Sequence, residues 1–238
     1  MRFQDAARDG RAVVYAAIQG DPLVARAAEL LANASQAERI LARAVMNGES
    51  TEADRWRRMF PILFGPTRAT DDPGQTGVPG SSDRSRSEAI LAASLAVADR
   101  GEQVRSQVRG AIVEELTARL LARRIPAAAV RRERRILFDG VPAEIHPYDV
   151  TVEVSGSAEA FDCKWGARGI NADVLHQLDD ARTHALDEEE SLRVALVVFD
   201  AERSCRVRLE AQTAPHAATR LVGLEDLDSL ARPGRAGQ

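Results

Sequence analysis

The stretch Asp149–Gly169, DVTVEVSGSAEAFDCKWGARG, decides how the chain is read. Its first six residues alternate in character. Asp149, Thr151 and Glu153 fall on one face of an extended strand, and Val150, Val152 and Val154 on the other. Ser155-Gly156-Ser157 supplies a turn. In the segment that follows, Phe161, Cys163 and Trp165 share one face, and Asp162 and Lys164 share the opposite one. If the two strands pair as hairpin neighbours, Asp149 lies beside Asp162 and Lys164. Two carboxylates and one ammonium then meet at one end of a sheet, backed by an apolar face. Lys164 is also the sole lysine: of 32 lysines and arginines, the other 31 are arginines.

RRILF reads as a strand before this pair, joined to it by the hairpin signal Asp139-Gly140. Asn171 is placed to cap a helix through ADVLHQLDDARTHAL. SLRVALVVFD has the continuous apolar character of a strand buried on both faces. CRVRLEA reads as a further strand and GLEDLDSLA as a closing helix. A long helical stretch from Ser87 to Arg124 precedes the strands, with Gly101 and Gly110 as expected break points. The order predicts an α/β domain over residues 89–238, with a mixed central sheet flanked by helices.

Residues 1–64 read as a small all-helical accessory domain. Asp21-Pro22 opens one helix, Ser35–Glu38 is a capping box, and Asn47-Gly48 ends that second helix. Another, from Thr51, carries Trp56, Met59 and Phe60. Residues 65–88 are rich in Gly, Pro, Ser and Asp and read as a flexible linker. The accessory domain offers a surface for a homodimer or a partner protein.

A formal net charge of −4 excludes a chain that is basic overall, so any nucleic-acid surface must be a local patch. Seven arginines between Arg119 and Arg135, against the one acid Glu133, supply such an excess. Arg131, Arg132 and Arg134, with Arg168 and Arg182 near the acidic pair, are the candidate phosphate contacts. No run approaches the roughly 18 apolar residues of a membrane span. The first residues lack the sustained apolar core of a signal peptide. A cytoplasmic protein without a membrane partner is expected, with Cys163 and Cys205 as reduced thiols.

The acidic pair has a physical use. Two carboxylates offer hard oxygen ligands to Mg²⁺, which keeps several waters and usually also binds a substrate phosphate. A metal-bound water loses its proton more easily, and the cation offsets developing charge. Lysine is a compact point charge whose pKa shifts readily on burial, whereas arginine stays protonated behind a broad planar fork. A site needing a small ammonium, or a proton acceptor, beside an attacking water therefore has reason to keep Lys164.

The order of these residues resembles the PD-(D/E)xK nuclease superfamily, which includes type II restriction enzymes and archaeal Holliday-junction resolvases. The resemblance covers roughly residues 105–230. Gly110-Ala-Ile-Val-Glu114 is similar to the family's Gly-x-x-x-Glu on the first core helix. Pro147-Tyr148-Asp149 is similar to its first aspartate, with the proline two residues away rather than adjacent. Asp162-Cys163-Lys164 matches the (D/E)xK element, and Gln177 sits where many members carry a polar residue on the next helix. Glu115 is the alternative to Glu114; neighbours on a helix point about 100° apart, so only one can face the sheet.

The resemblance implies a restriction-endonuclease-like core and phosphodiester hydrolysis, with DNA the expected substrate on the family's balance alone. It implies that Asp149 and Asp162 hold Mg²⁺ or Mn²⁺, with Glu114 contacting the ion directly or through water. Lys164 would orient or activate the attacking water, and Gln177 would help position the lysine, the water or the nucleic acid. Phage defence, mobile-element maintenance and repair are the settings it implies. A non-catalytic nucleic-acid- or protein-binding adaptor of the same fold is the alternative.

Overall fold

The structure is a computed structural model that describes residues 1–6, 10–65, 81–139, 141–142, 146–214 and 219–232. Its centre is a mixed sheet. In chain order the strands are β1 (Arg2–Asp5), β2 (Val130–Phe138), β3 (Val141–Pro142), β4 (Tyr148–Val154), β5 (Ser157–Lys164), β6 (Leu192–Val198) and β7 (Arg220–Val222). They lie in the order β1-β2-β4-β5-β6-β7, with β3 beside β2. The β1, β2, β4 and β5 pairings are antiparallel; β5, β6 and β7 run parallel.

The β4–β5 hairpin forms where the alternation places it. Val150 pairs with Phe161 and Val154 with Ser157, and Gly156 takes the left-handed turn at φ 79°. Val150, Val152, Phe161 and Cys163 face one apolar cluster, while Ala158 and Ala160 face a second. β6 pairs with β5 along its whole length and is buried at every position but Arg193. The hairpin between β2 and β3 spans 139–140; Gly140 lies outside the described residues. β2 carries an irregularity at Glu133, whose φ is 51°. The register to β4 is the same on both sides of it, with Arg132 opposite Val150 and Arg134 opposite Tyr148.

Helices cover both faces. The first cluster joins one sheet face to α2 (Pro22–Ala32), α3 (Gln36–Asn47), α6 (Ser81–Ala98) and α7 (Glu102–Leu121), with α1 (Gly10–Gln19) against α7, and α4 (Ala53–Met59) and α5 (Pro61–Phe64) against α6. The second lies under α8 (Ala172–Asp187) and α9 (Glu202–Glu210). The local signals hold at several ends. Asp21 caps α2, accepting from the Leu23 amide at 2.8 Å, and Ser35 and Glu38 form the full capping box of α3. Asn171 caps α8 through the Val174 amide.

Several expectations are corrected. Residues 1–64 are not all helical: Arg2–Asp5 forms edge strand β1 on β2. Nor do they form a separate core, because Val24, Ala28 and Leu31 share one cluster with Val150, Phe161 and Leu227. The interval 65–88 is not a linker throughout, since α6 begins at Ser81; residues 66–80 lie outside the described residues. Gly110 does not break α7, which runs through it from its N-cap at Gly101. CRVRLEA is helix α9, not a strand. Its apolar residues Cys205, Val207 and Leu209 alternate, yet Cys205 and Leu209, one helical turn apart, pack inward while Val207 stays 63% exposed.

Candidate functional site

The β4–β5 register carries one step past Val150 and Phe161 to set Asp149 opposite Asp162. The Asp149 carboxylate reaches across and accepts from the Cys163 backbone N–H at 2.6 Å. Lys164, two residues beyond Asp162 on the same face, ion-pairs its ammonium to Asp162 Oδ1. These three side chains line one cleft of about 410 Å³, closed on its other side by α8. Gln177 lines the same cleft, and its Nε2 donates to the His146 carbonyl at 3.2 Å. The Tyr148 hydroxyl donates to the Gln177 carbonyl, tying α8 to β4.

Glu114 is buried on α7 and takes the inward position, while Glu115 turns away to pair with Arg119 and Arg132. Of the two neighbours, Glu114 is the one that faces the sheet. Glu114 is not among the residues lining the cleft, yet it stands within electrostatic reach of Lys164 and Asp149. Both its oxygens are engaged: the Tyr15 hydroxyl donates to Oε1, and Gln19 Nε2 donates to Oε2 at 2.8 Å. Gln19 also donates to Glu133 Oε1 at 3.1 Å. The glycine of Gly-x-x-x-Glu has a physical reason here. A methyl group at Gly110 would meet the Tyr15 hydroxyl at 3.2 Å, so the bare backbone leaves room for α1 (Gly10–Gln19) to bring Tyr15 to Glu114.

The electrostatics follow from three carboxyl groups and one ammonium in a poorly solvated place. Burial, then the neighbouring Asp162 and Glu114, hold the Asp149 carboxyl well above its usual range. Burial raises Glu114 as well, against the pull of Tyr15, Gln19, Arg132 and Lys164. Burial and the Glu114 charge push the Tyr15 phenol up, which keeps it a donor. Burial alone would lower Lys164, but Asp162 and Asp149 more than reverse it, so it stays an ammonium above its ordinary range.

Gly169 shapes the lysine. A methyl group there would lie 2.9 Å from Cβ, Cγ and Cδ of Lys164, so the turn 166–169 presses directly on the aliphatic stem. Among the described residues no three His, Cys, Asp or Glu side chains converge as a metal-ligand group. The donor set is instead the facing pair Asp149 and Asp162. Two hard oxygen donors with room beside them suit Mg²⁺, which keeps waters, and an added cation would relieve the repulsion that raises Asp149.

The arginines sort differently from the sequence expectation. Arg132 pairs with Glu115, Arg134 with Glu153 and Asp5, and Arg182 with Asp179; Arg131 is exposed on β2. None of these four lines the cleft. The excess around Arg119–Arg135 is largely met by acids from elsewhere in the chain, including Glu159, which takes Arg124 in a buried pair at 2.8 Å. Sequence reasoning missed Tyr15 and Gln19, although a tyrosine and a glutamine four apart on the apolar run VVYAAIQ share a helix face. It also passed over Asp173 and Asp180, which make the cleft more acidic.

Fold and site together define an α/β protein with a mixed open sheet and an Asp–Asp–Lys cluster at a strand end. Compared with known proteins, the sequence matches no family model and no curated protein, and the fold matches no solved structure. No helix among the described residues is long and apolar enough to cross a membrane.

Proposed function

We propose that the protein is a metal-dependent phosphodiesterase acting on nucleic acid, with a restriction-endonuclease-like core. The observation that carries this reading is the convergence of Asp149, Asp162 and Lys164 on one cleft, with Glu114 buried behind them. Asp149 and Asp162 are the residues that would hold Mg²⁺ or Mn²⁺. When bound, the cation supplies Lewis-acid polarisation of a phosphate oxygen and a more acidic water.

The chain's own groups do the rest. The Lys164 ammonium stands beside the carboxylates, where it stabilises negative charge gathering on a phosphate. Gly169 and the Asp162 ion pair fix its direction. Glu114, held by Tyr15 and Gln19, adds negative potential behind the pair. Gln177 faces the cleft from α8 and positions the lysine, water or substrate. DNA is the substrate proposed first.

The test is cleavage of plasmid, single-stranded DNA and RNA with Mg²⁺, Mn²⁺ or EDTA, alongside Lys164→Ala. Metal-dependent cleavage lost in the variant supports the proposal. Equal cleavage by the variant removes Lys164 from the mechanism, and cleavage under no condition turns the reading to a non-catalytic adaptor.

A further inference from the structure

Lys164 borders two hollows. Besides the acidic cleft, it lines a second hollow of about 660 Å³ between α3, the first turns of α7 and the segment 165–169. The two differ in charge. Asp149, Asp162, Asp173 and Asp180 line the first, with Lys164 its one basic lining residue besides histidines. The second presents Arg43, Arg109 and Arg168 with Lys164, against Glu102 and Asp200.

Its two acids pair with two of its three arginines, so Arg168 carries the uncompensated charge among the described residues. Asp200 is buried, pairs with Arg43 at 2.6 Å and accepts from the backbone N–H groups of Ala167 and Ala201. Glu102 pairs with Arg105 and Arg109. Arg168 is exposed, and no carboxylate among the described residues pairs with it. The Trp165 ring forms a wall rather than a free stacking face. It stacks on Phe199 at 5.0 Å, lies under the Arg109 guanidinium at 5.9 Å, and donates its indole N–H to Asn47 at 2.7 Å.

We infer that this second hollow is a phosphate subsite, which holds a backbone phosphate next to the one at the acidic cleft. The inference rests on the phosphodiesterase reading and adds what the cleft lacks. A polyanion is repelled by four carboxylates unless its neighbouring phosphates find cations, and the cations lie across Lys164. A strand passing over Lys164 therefore puts its reacting phosphate at the acidic side and the next one among Arg43, Arg109 and Arg168. The N-terminal helix α3 and the start of α7 thereby supply substrate contacts.

The experiment is anisotropy of a labelled single-stranded oligonucleotide in EDTA across a KCl series, with steady-state cleavage in Mg²⁺ beside it. Arg168→Gln removes one cation, and Ser106→Glu places a carboxylate in the hollow from an exposed position on α7. Arg203→Gln, exposed on α9, makes the same one-unit change in net charge away from the hollow and is the control. Arg168→Gln should lower the magnitude of the slope of log K against log salt by about 0.7, the value of one phosphate contact on a single strand. Ser106→Glu should weaken binding severalfold, and both should raise KM more than they lower kcat. If the wild type binds and cleaves but these variants match Arg203→Gln in affinity and slope, the subsite is wrong while the phosphodiesterase reading stands. If the wild type neither binds nor cleaves, both fall.

Discussion

Gly169→Ala puts the positioning of Lys164 to a quantitative test. The added methyl would stand 2.9 Å from three carbons of the lysine stem. Nonbonded carbons rest about 3.5–4.0 Å apart, so a retreat of roughly 0.6–1.1 Å is required. The near end of the stem cannot easily give it. Lys164 is paired in register with Val198, and its carbonyl accepts from the Phe199 amide at 2.9 Å. The glycine is itself held in a tight turn, its N–H donating to the Gly166 carbonyl at 2.9 Å. The displacement therefore passes to the ammonium. A misplacement of about 1 Å costs on the order of 10²-fold in rate. We expect kcat for oligonucleotide cleavage to fall about 10- to 100-fold. Overpacking of about 1–3 kcal/mol would lower Tm by several degrees.

Gly101→Ala, with nothing within 4 Å of the new methyl, is the control. A second readout needs no turnover: the chain has one lysine, so a lysine-selective ¹³C label gives one side-chain signal, which should shift in Gly169→Ala and stay put in Gly101→Ala. Wild-type cleavage with an unmoved lysine signal would refute the reasoning.

Four further outcomes are expected. Lys164→Arg should lose about 10²–10³-fold in cleavage while retaining its Tm, as a broad guanidinium replaces a point charge; undiminished cleavage would contradict this. Tyr15→Phe leaves Glu114 Oε1 without its donor in a buried place and should cost about 1–3 kcal/mol, read by urea unfolding. Asp149→Asn should raise Tm in EDTA while abolishing both cleavage and the Tm gain from added Mg²⁺, because a buried, repelled carboxyl is removed together with a metal donor. Asp21→Ala should cost about 1 kcal/mol at neutral pH through the lost cap. The Arg100 hydrogen bond holds the Asp21 carboxyl below its usual value. Its contribution is full above the ordinary carboxylate pKa and is lost as pH falls through the lowered one, so the variant should show a flatter acid limb.

The parts of this fold that sequence makes legible are those where one local rule acts alone. In β4 and β5 strict alternation sets the faces, and a single glycine turn sets the register, so Asp149, Asp162 and Lys164 could be placed together from spacing. The caps at Asp21, Ser35 and Asn171 follow from chemistry within four residues. What stayed hidden depends on distant partners. RFQD has no strand pattern of its own and becomes β1 through pairing with β2. Gly110 reads as a breaker until Tyr15, from another helix, is seen above it. The basic run at Arg119–Arg135 looks like a free patch because the acids that answer most of its charge come from other elements: Glu115 on α7 takes Arg132, Glu153 on β4 takes Arg134, and Glu159 on β5 takes Arg124.

The shared apolar cluster of α2 and α7 bears on how the chain comes off the ribosome. Residues of α2 are synthesised well before α7, β4 and β6, against which they finally pack. The early helices must therefore wait with an uncovered greasy face, and chaperone dependence or aggregation during translation should concentrate in that interval.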